Sequence, residues 1–448
     1  MHDHESCTSI INLRYREGSE GSRTNPANFK HQDFEQLRDS CLRRRTQFVD
    51  RHFPPQNRSL GDLGMSRAQL NAVEWLRPSE ILKANHVSGE PVFFSAGASH
   101  YDFAQGNVYN CWFLAAVGTL TSQKSLMAQV VPLEQTFNNN PGIFHFRFWR
   151  YGKWVDVVVD DHLPTINKRL ISVQPKDVRE FWAPLLEKAY AKVCGSYADT
   201  NAGNPTEACK DFSGGVHKTF ELRKGQEEQV WTALERAISC QSLICCAIDR
   251  TGSGMTNSVL NTGLVEGHAY SLTGITEVDY YGSKVKLVRA LNPWGGQEWN
   301  GKWSDKSSVW DRVSQQDRAK FLEREDGEFW IELSDFDRHF SIVTATCENP
   351  NFIDGDTKAQ WQCMIYDGNW VAGRSAGGSP SNSTYSDNPQ YRLTVKDTRD
   401  AADDMNIVIS LMQVPQQQRR NDARFHPIGT AVYKVPAGVS SSSPPLPL

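Results

Sequence analysis

The stretch Gln105-Gly106-Asn107-Val108-Tyr109-Asn110-Cys111-Trp112-Phe113-Leu114 sets a polar, glycine-containing approach against an apolar run that continues to Ser122. Such a run predicts a buried helix that starts at the cysteine. The unpaired amides and positive dipole end of a helix stabilise a thiolate, which is the attacking form of cysteine. Gln105 lies near enough upstream to donate its side-chain amide to a developing oxyanion, alongside the Cys111 backbone amide. A buried helical cysteine is also the commonest kind of inert thiol, so this stretch alone leaves both readings open.

Around this centre the chain divides by pattern. Residues 1–50 begin polar and without period, then turn amphipathic from Asp33 to about Val49, which predicts an N-terminal helix or anchor. Residues 51–204 mix helices with strands, among them the alternating Ile143–Trp149 and the strand-like Trp154–Val159, and suggest one compact lobe. Residues 205–346 read mostly as strands, including Ser242–Ile248, His268–Ile275 and Val285–Leu291, the last stopped by Pro293. That is a second lobe. Residues 347–436 carry Gly-, Ser- and Asn-rich turns between strand-like runs at Tyr391–Val395 and Asn406–Leu411, implying a small all-β domain. Residues 437–448 form a Ser/Pro-rich tail expected to stay unfolded.

Composition narrows the function. The chain has 448 residues, too many for one hydrophobic core, so several domains are the natural expectation. A net charge of -4, with Lys and Arg scattered among acids, leaves no electrostatic footprint for nucleic acid. No apolar run is long enough to span a bilayer, and the start MHDHESCTSI lacks the pattern of a secretory signal, so a cytoplasmic location is expected. The ten cysteines include several inside apolar runs, such as Leu243–Ala247, and read as reduced core thiols. No CxxC or CxxH spacing occurs, which removes the usual zinc signatures.

Two further motifs decide between the readings of Cys111: Glu266-Gly267-His268-Ala269-Tyr270-Ser271-Leu272 and Leu291-Asn292-Pro293-Trp294-Gly295. Together with Gln-Gly-x-x-x-x-Cys-Trp-Phe-Leu they resemble, in order, the three catalytic motifs of the calpain family. Lys153–Asp161, Phe181–Tyr190 and Asp211–Val216 also look like calpain core segments. The resemblance implies an α+β fold: a two-lobed, papain-like protease core followed by a partial C2-like β-sandwich. It implies a calcium-dependent cysteine endopeptidase carrying out limited proteolysis of cytosolic proteins. Cys111 would be the nucleophile, His268 the base and later the acid, and Asn292 the group that orients the imidazole. Gln105 would support the oxyanion, and Trp294 would shield the His268–Asn292 hydrogen bond from water. Gly203 and Gly267 match positions whose backbones pair with an extended peptide substrate.

The same resemblance implies two Ca²⁺ ions, one for each lobe. The first would be held by Asp102 and Glu180 with the carbonyls of Ser95 and Gly97. The second would be held by Glu298, Asp305, Asp326 and Glu328 with the carbonyl of Arg324. Oxygen-rich loops suit this hard cation. In calpains without calcium the lobes hold cysteine and histidine apart, and binding rotates them into register.

No EF-hand loop occurs, since Asp354-Gly355-Asp356 lacks the spacing and the terminal glutamate, so no EF-hand-mediated small-subunit dimer is expected. The Arg419-Arg420 pair is too short a basic patch for stable membrane attachment. The C2-like resemblance, clearest at Trp370–Gly378 and Asn388–Gln390, ends short of the family's usual extent, as in a splice product or fragment. Tyr109 stands where many calpains have glycine, predicting crowding or backbone strain beside the nucleophile. Asn110 replaces an aspartate and retains the ability to cap the helix, and His100 replaces an arginine that pairs with acids of the opposite lobe. Two rival readings remain: a catalytically weak calpain-like scaffold, opposed by the intact Cys, His and Asn, and a metal-independent papain-like hydrolase, opposed by the acidic clusters.

Overall fold

This computed structural model describes residues 18–250, 258–314, 318, 321, 326–353, 355, 361, 363–391, 393, 407–417 and 419–433. The apolar run forms helix α1, Cys111–Thr121, and every side chain from Trp112 to Leu120 is buried. A helix with no polar face has to lie inside a core. α1 does so, surrounded by the hairpin β1 (Ile143–Arg150) and β2 (Lys153–Asp160), and by helices α2 (Trp182–Cys194) and α3 (Pro205–Ser213). The second segment therefore opens with a helix, not a strand. Asn204 caps it by accepting the Thr206 N–H, and Ala208, Cys209 and Phe212 join the core around α1.

α2 is buried along its whole length, although it carries Glu187, Lys188 and Lys192. Buried ammonium groups need partners. Lys188 Nζ donates to Asp160 Oδ1 at 2.7 Å and to the His162 carbonyl at 2.6 Å; one turn on, Lys192 Nζ donates to Asp50 Oδ2 at 2.6 Å. The two lysines thus pin the end of β2 and the 50–52 loop to the helix.

The second lobe is built on a six-stranded sheet: β3 (Val216–Glu221), β4 (Leu243–Ile248), β5 (His268–Tyr280), β6 (Ser283–Leu291), β7 (Glu328–Glu332) and β8 (Ile342–Cys347). The order is β7-β6-β5-β4-β8-β3, with every neighbour antiparallel. Helix α4 (Glu227–Ser239) buries Val230, Trp231, Leu234 and Ala237 against it. β5 and β6 extend beyond the predicted stretches because they share one hairpin, turning at Tyr281-Gly282.

The lobes meet where α1 crosses β5. Ser271 Oγ donates to the Ala115 carbonyl at 2.7 Å, and a Cβ on Gly118 would lie 2.3 Å from that hydroxyl oxygen. Only glycine permits this approach. Leu243, Cys245 and Ala269 complete the seam by packing into the core around α1.

The N-terminal helix runs Phe34–Arg44, shorter than predicted, capped by Asp33 and stopped by Arg45 in a left-handed conformation. Beyond Cys347 the described residues form short 3-10 turns at Pro350–Phe352, Tyr385–Asp387 and Arg420–Asp422, and no strand. The strand expected at Asn406–Leu411 is not formed by its described residues, and Ile407, Ile409 and Leu411 stand partly exposed. An alternating run makes a strand only when a neighbour takes its amides and a second layer covers its apolar face. Most of Tyr391–Val395, and all of 437–448, lie outside the described residues.

Two stability predictions follow from this packing. Gly118→Val should lower unfolding free energy by about 1–3 kcal/mol through overpacking of the seam, read by urea denaturation. Burial alone would raise the Asp160 carboxyl, but Lys188, His162 and the Asp50 amide hold it well below its usual range. Its stabilisation is therefore present above the unfolded carboxylate range and is lost as pH falls. Asp160→Asn should cost about 3–5 kcal/mol at neutral pH and flatten the acid limb of the stability profile.

Candidate active site

Cys111 occupies the first position of α1, where the helix amides are free. Asn110 does not cap the helix, contrary to expectation. Its Nδ2 donates instead to Glu187 Oε1 at 2.7 Å, a buried carboxylate that also accepts the Val173 N–H at 3.0 Å. A carboxyl buried this deeply needs donors. Burial pushes the Cys111 thiol above its ordinary value, while the amides of Ala269, Trp112 and Cys111 itself oppose the rise. That direction favours the protonated thiol.

His268 starts β5, and Asn292 follows the last residue of β6, so the Ser271–Leu291 register brings the two together. His268 Nε2 lies 2.8 Å from Asn292 Oδ1. That oxygen also accepts the Trp294 N–H at 3.0 Å, while Asn292 Nδ2 donates to the Gln297 carbonyl at 2.9 Å, which fixes the amide's orientation. Oδ1 is an acceptor, so Nε2 carries the proton and Nδ1 has the free lone pair. Nδ1 is buried and has no hydrogen-bond partner among the described residues. Burial lowers the imidazole to about 4, against the opposing Asn292 hydrogen bond, so it is neutral at physiological pH. The Trp294 ring covers it with centroids 4.8 Å apart.

Gln105 sits at the rim of the same site, its backbone N–H donating to the Pro293 carbonyl at 2.8 Å. Its side-chain amide is turned onto its own loop, donating to the Val108 carbonyl at 2.8 Å. Tyr109 is 62% exposed and its φ is not positive, so the expected backbone strain is absent. Gly267 donates its N–H to the Ile248 carbonyl at 2.9 Å, and Gly203 is exposed beside the Trp112 ring.

Residues 48–348 match the family described as calpain family cysteine protease, which is most of the chain. The chain belongs to the calpain family. Residues 366–445 match a second calpain family, the large subunit's domain III. The human calpain-2 catalytic subunit is 39% identical over 440 residues, covering 96% of this chain and 62% of that relative. Human calpain-9 is 39% identical over 410 residues, covering 90% of this chain and 58% of the relative. The chicken calpain-1 catalytic subunit is 38% identical over 439 residues. The chain thus spans about three fifths of the length of these calpains.

The residues that calpain resemblance assigns to calcium lie in or beside loops of the two lobes, with Glu328 opening β7. In the first lobe, Glu180 Oε1 accepts the Ser95 N–H at 2.5 Å and Asp102 Oδ2 accepts the Ser99 N–H at 2.6 Å. Burial, with Asp102 and Asp177 nearby, raises Glu180 to about 7 despite the Ser95 amide, and burial also raises Asp102. Gly97 has open space around it. In the second lobe, Glu298 Oε1 accepts the Gly327 N–H at 2.8 Å, and Asp326 and Glu328 flank that glycine. Asp305 is half-buried in the loop after Trp303. Arg324 lies outside the described residues. Among the described residues no three acidic, His or Cys side chains converge as a metal cluster, so any cation here needs backbone carbonyls.

Glu328 is committed elsewhere. Thr273 Oγ1 donates to it at 2.6 Å, Arg289 Nε lies 3.4 Å away, and from the other lobe Tyr101 donates and His100 Nε2 lies 3.4 Å away. Burial alone would raise this carboxyl, but these neighbours bring it down to about 2. His100 thus still faces an acid of the opposite lobe. The sequence reading missed Glu187, Tyr101, Thr273 and Arg289, because no local motif marks a residue whose role is to meet a distant one.

With a protonated thiol and a neutral imidazole, Cys111 should alkylate slowly with iodoacetamide at neutral pH and accelerate only above the ordinary thiol range. Mass spectrometry of the Cys111 peptide separates this from the exposed Cys363. Fast alkylation at neutral pH without added metal would contradict the resting state described.

Proposed function

We propose that this calpain is a calcium-dependent cysteine endopeptidase of the cytoplasm, with residues 51–204 and 205–346 as its two lobes and extended peptides as its substrates. One observation carries the reading: among the described residues His268 Nδ1 is a buried lone pair without a partner, its tautomer set by Asn292 and its ring covered by Trp294. Buried polar side-chain atoms with a merely structural role are as a rule hydrogen-bonded.

In the proposed reaction Nδ1 takes the Cys111 proton as sulfur attacks the scissile carbonyl. The oxyanion receives the Cys111 amide and the second N–H of Gln105. His268 then protonates the leaving amine, and a thioester remains on Cys111. Water, deprotonated by His268, releases the acid and restores the thiol. Asn292 keeps the same tautomer available at each step, and Trp294 excludes water from its hydrogen bond. Gly203 and Gly267 would present backbone groups to the substrate on either side.

The acid residues fit calcium in part. In the first lobe Asp102 and Glu180 repel each other in a loop that also offers the Ser95 and Gly97 carbonyls, the donor chemistry a hard cation relieves. In the second, Glu298 and Asp326 flank a loop whose Gly327 carbonyl accepts the Asn292 N–H at 2.8 Å, with Asp305, Glu328 and the Arg324 carbonyl as the remaining donors. When bound, calcium would supply the charge that reorganises these loops and brings the lobes into register.

The test is cleavage of a fluorogenic peptide across a calcium titration. Wild type should turn over only with calcium, Cys111→Ser should be silent, and His268→Ala should lose about a thousandfold or more in kcat/KM. Activity indifferent to chelator would favour the metal-independent reading. A folded wild type as silent as Cys111→Ser would favour the scaffold. Tyr109→Gly should mainly change KM for substrates with bulky side chains, since Tyr109 is an exposed ring two residues from the nucleophile.

A further inference from the structure

Arg420 was noted in the sequence only as half of a weak basic pair, yet its guanidinium lies 4.7 Å from the Trp112 ring, next to Cys111. Nε and Nη2 each donate to a Glu207 carboxylate oxygen at 2.9 Å. Nη1 donates to the Ala202 carbonyl at 2.9 Å and to the Asp199 carbonyl at 3.3 Å. Its neighbours hold the same loop: Arg419 Nε donates to Asp199 Oδ2 at 2.9 Å and Asn421 Nδ2 to the Ala198 carbonyl at 3.0 Å.

This loop carries Gly203, and it also braces the nucleophile's approach. Trp112 Nε1 donates to the Thr200 carbonyl at 2.8 Å, the Ala202 N–H donates to the Tyr109 carbonyl at 3.0 Å, and the Tyr109 N–H donates to Asn201 Oδ1 at 3.1 Å. A Cβ on Gly203 would lie 2.5 Å from the Trp112 ring and 2.6 Å from Arg420 Nη2. The backbone at Gly203 is thus pressed between an indole of the protease core and a guanidinium from the domain III region.

We propose that Arg420 is a positioning residue of the substrate cleft. By fixing the Ala202 carbonyl and closing over Gly203 and Trp112, it makes peptide affinity depend on the domain III region. Arginine suits this role, because its planar fork holds Glu207 with one edge while another N–H takes the loop carbonyls. This rests on the reading of Gly203 as a substrate-pairing position, but not on catalysis.

The test compares the full chain with Arg420→Ala and Arg420→Lys, each in a Cys111→Ser background so that peptide is not consumed. With calcium present, Arg420→Ala should weaken the Kd for a fluorescent substrate peptide about tenfold, with Arg420→Lys in between. Hydrogen exchange across 196–204 should accelerate, while β5 and α2 amides stay protected. Unchanged exchange across 196–204, or faster exchange with an unchanged Kd, would overturn the proposal. A protein that binds peptide in this Arg420-dependent way yet cleaves nothing would sink the protease reading and leave the positioning role standing.

Discussion

The structure depends on the crossing of α1 over β5. One strand supplies His268 at its start, Ala269 to the thiol's surroundings and Ser271 to the helix backbone; one helix supplies Cys111 at its first position and Gly118 where Ser271 presses in. Cysteine and histidine come from chain segments more than a hundred residues apart. What sets them in one site is the depth to which the strand sinks toward the helix axis. A side chain at position 118 would lift the strand and widen the distance every other contact presupposes.

Charge is distributed unequally about this crossing. The first lobe buries full ion pairs, such as Lys188 with Asp160, in which each partner is unaffordable alone. These pairs tie the end of β2 and the 50–52 loop to α2, which packs beside α1. Cys111 and His268 are the reverse: burial pushes the thiol up and the imidazole down, so both favour their neutral forms. Resting neutrality costs little, and the site keeps its lone pair unspent.

Beside the apolar seam at α1, polar contacts between the lobes lie near the acidic loops. Lys176 reaches the Asp326 carbonyl at 3.2 Å, and Tyr101 reaches Glu328. Glu328 therefore has two claims on it in the proposed enzyme: its present neighbours Tyr101, Thr273 and Arg289, and a cation in the second lobe. Because the Gly327 carbonyl beside it accepts the Asn292 N–H, a shift in this turn acts directly on the residue that orients the imidazole. Arg420 makes a comparable connection from the other side, through the loop at 199–203.

The sequence by itself determined most of the core elements and the candidate site residues. The unbroken apolar run after Asn110 had to become a buried helix, the β-branched runs inside the core became strands, and three motifs marked Cys111, His268 and Asn292 as candidates, in order. These signals are local, set by side-chain period and by residue type. Tertiary structure alone decided what each residue faces. Asn110 became a donor to Glu187 in place of a cap, Gln105 turned its amide to Val108, Tyr109 pointed to solvent without strain, and Arg420 came to rest on Trp112. The run at 407–411 shows the same limit from the other side, since alternation cannot make a strand without a partner. Such outcomes are settled by competition among groups brought together only when the chain folds, because a hydrogen bond's worth depends on what else is buried beside it.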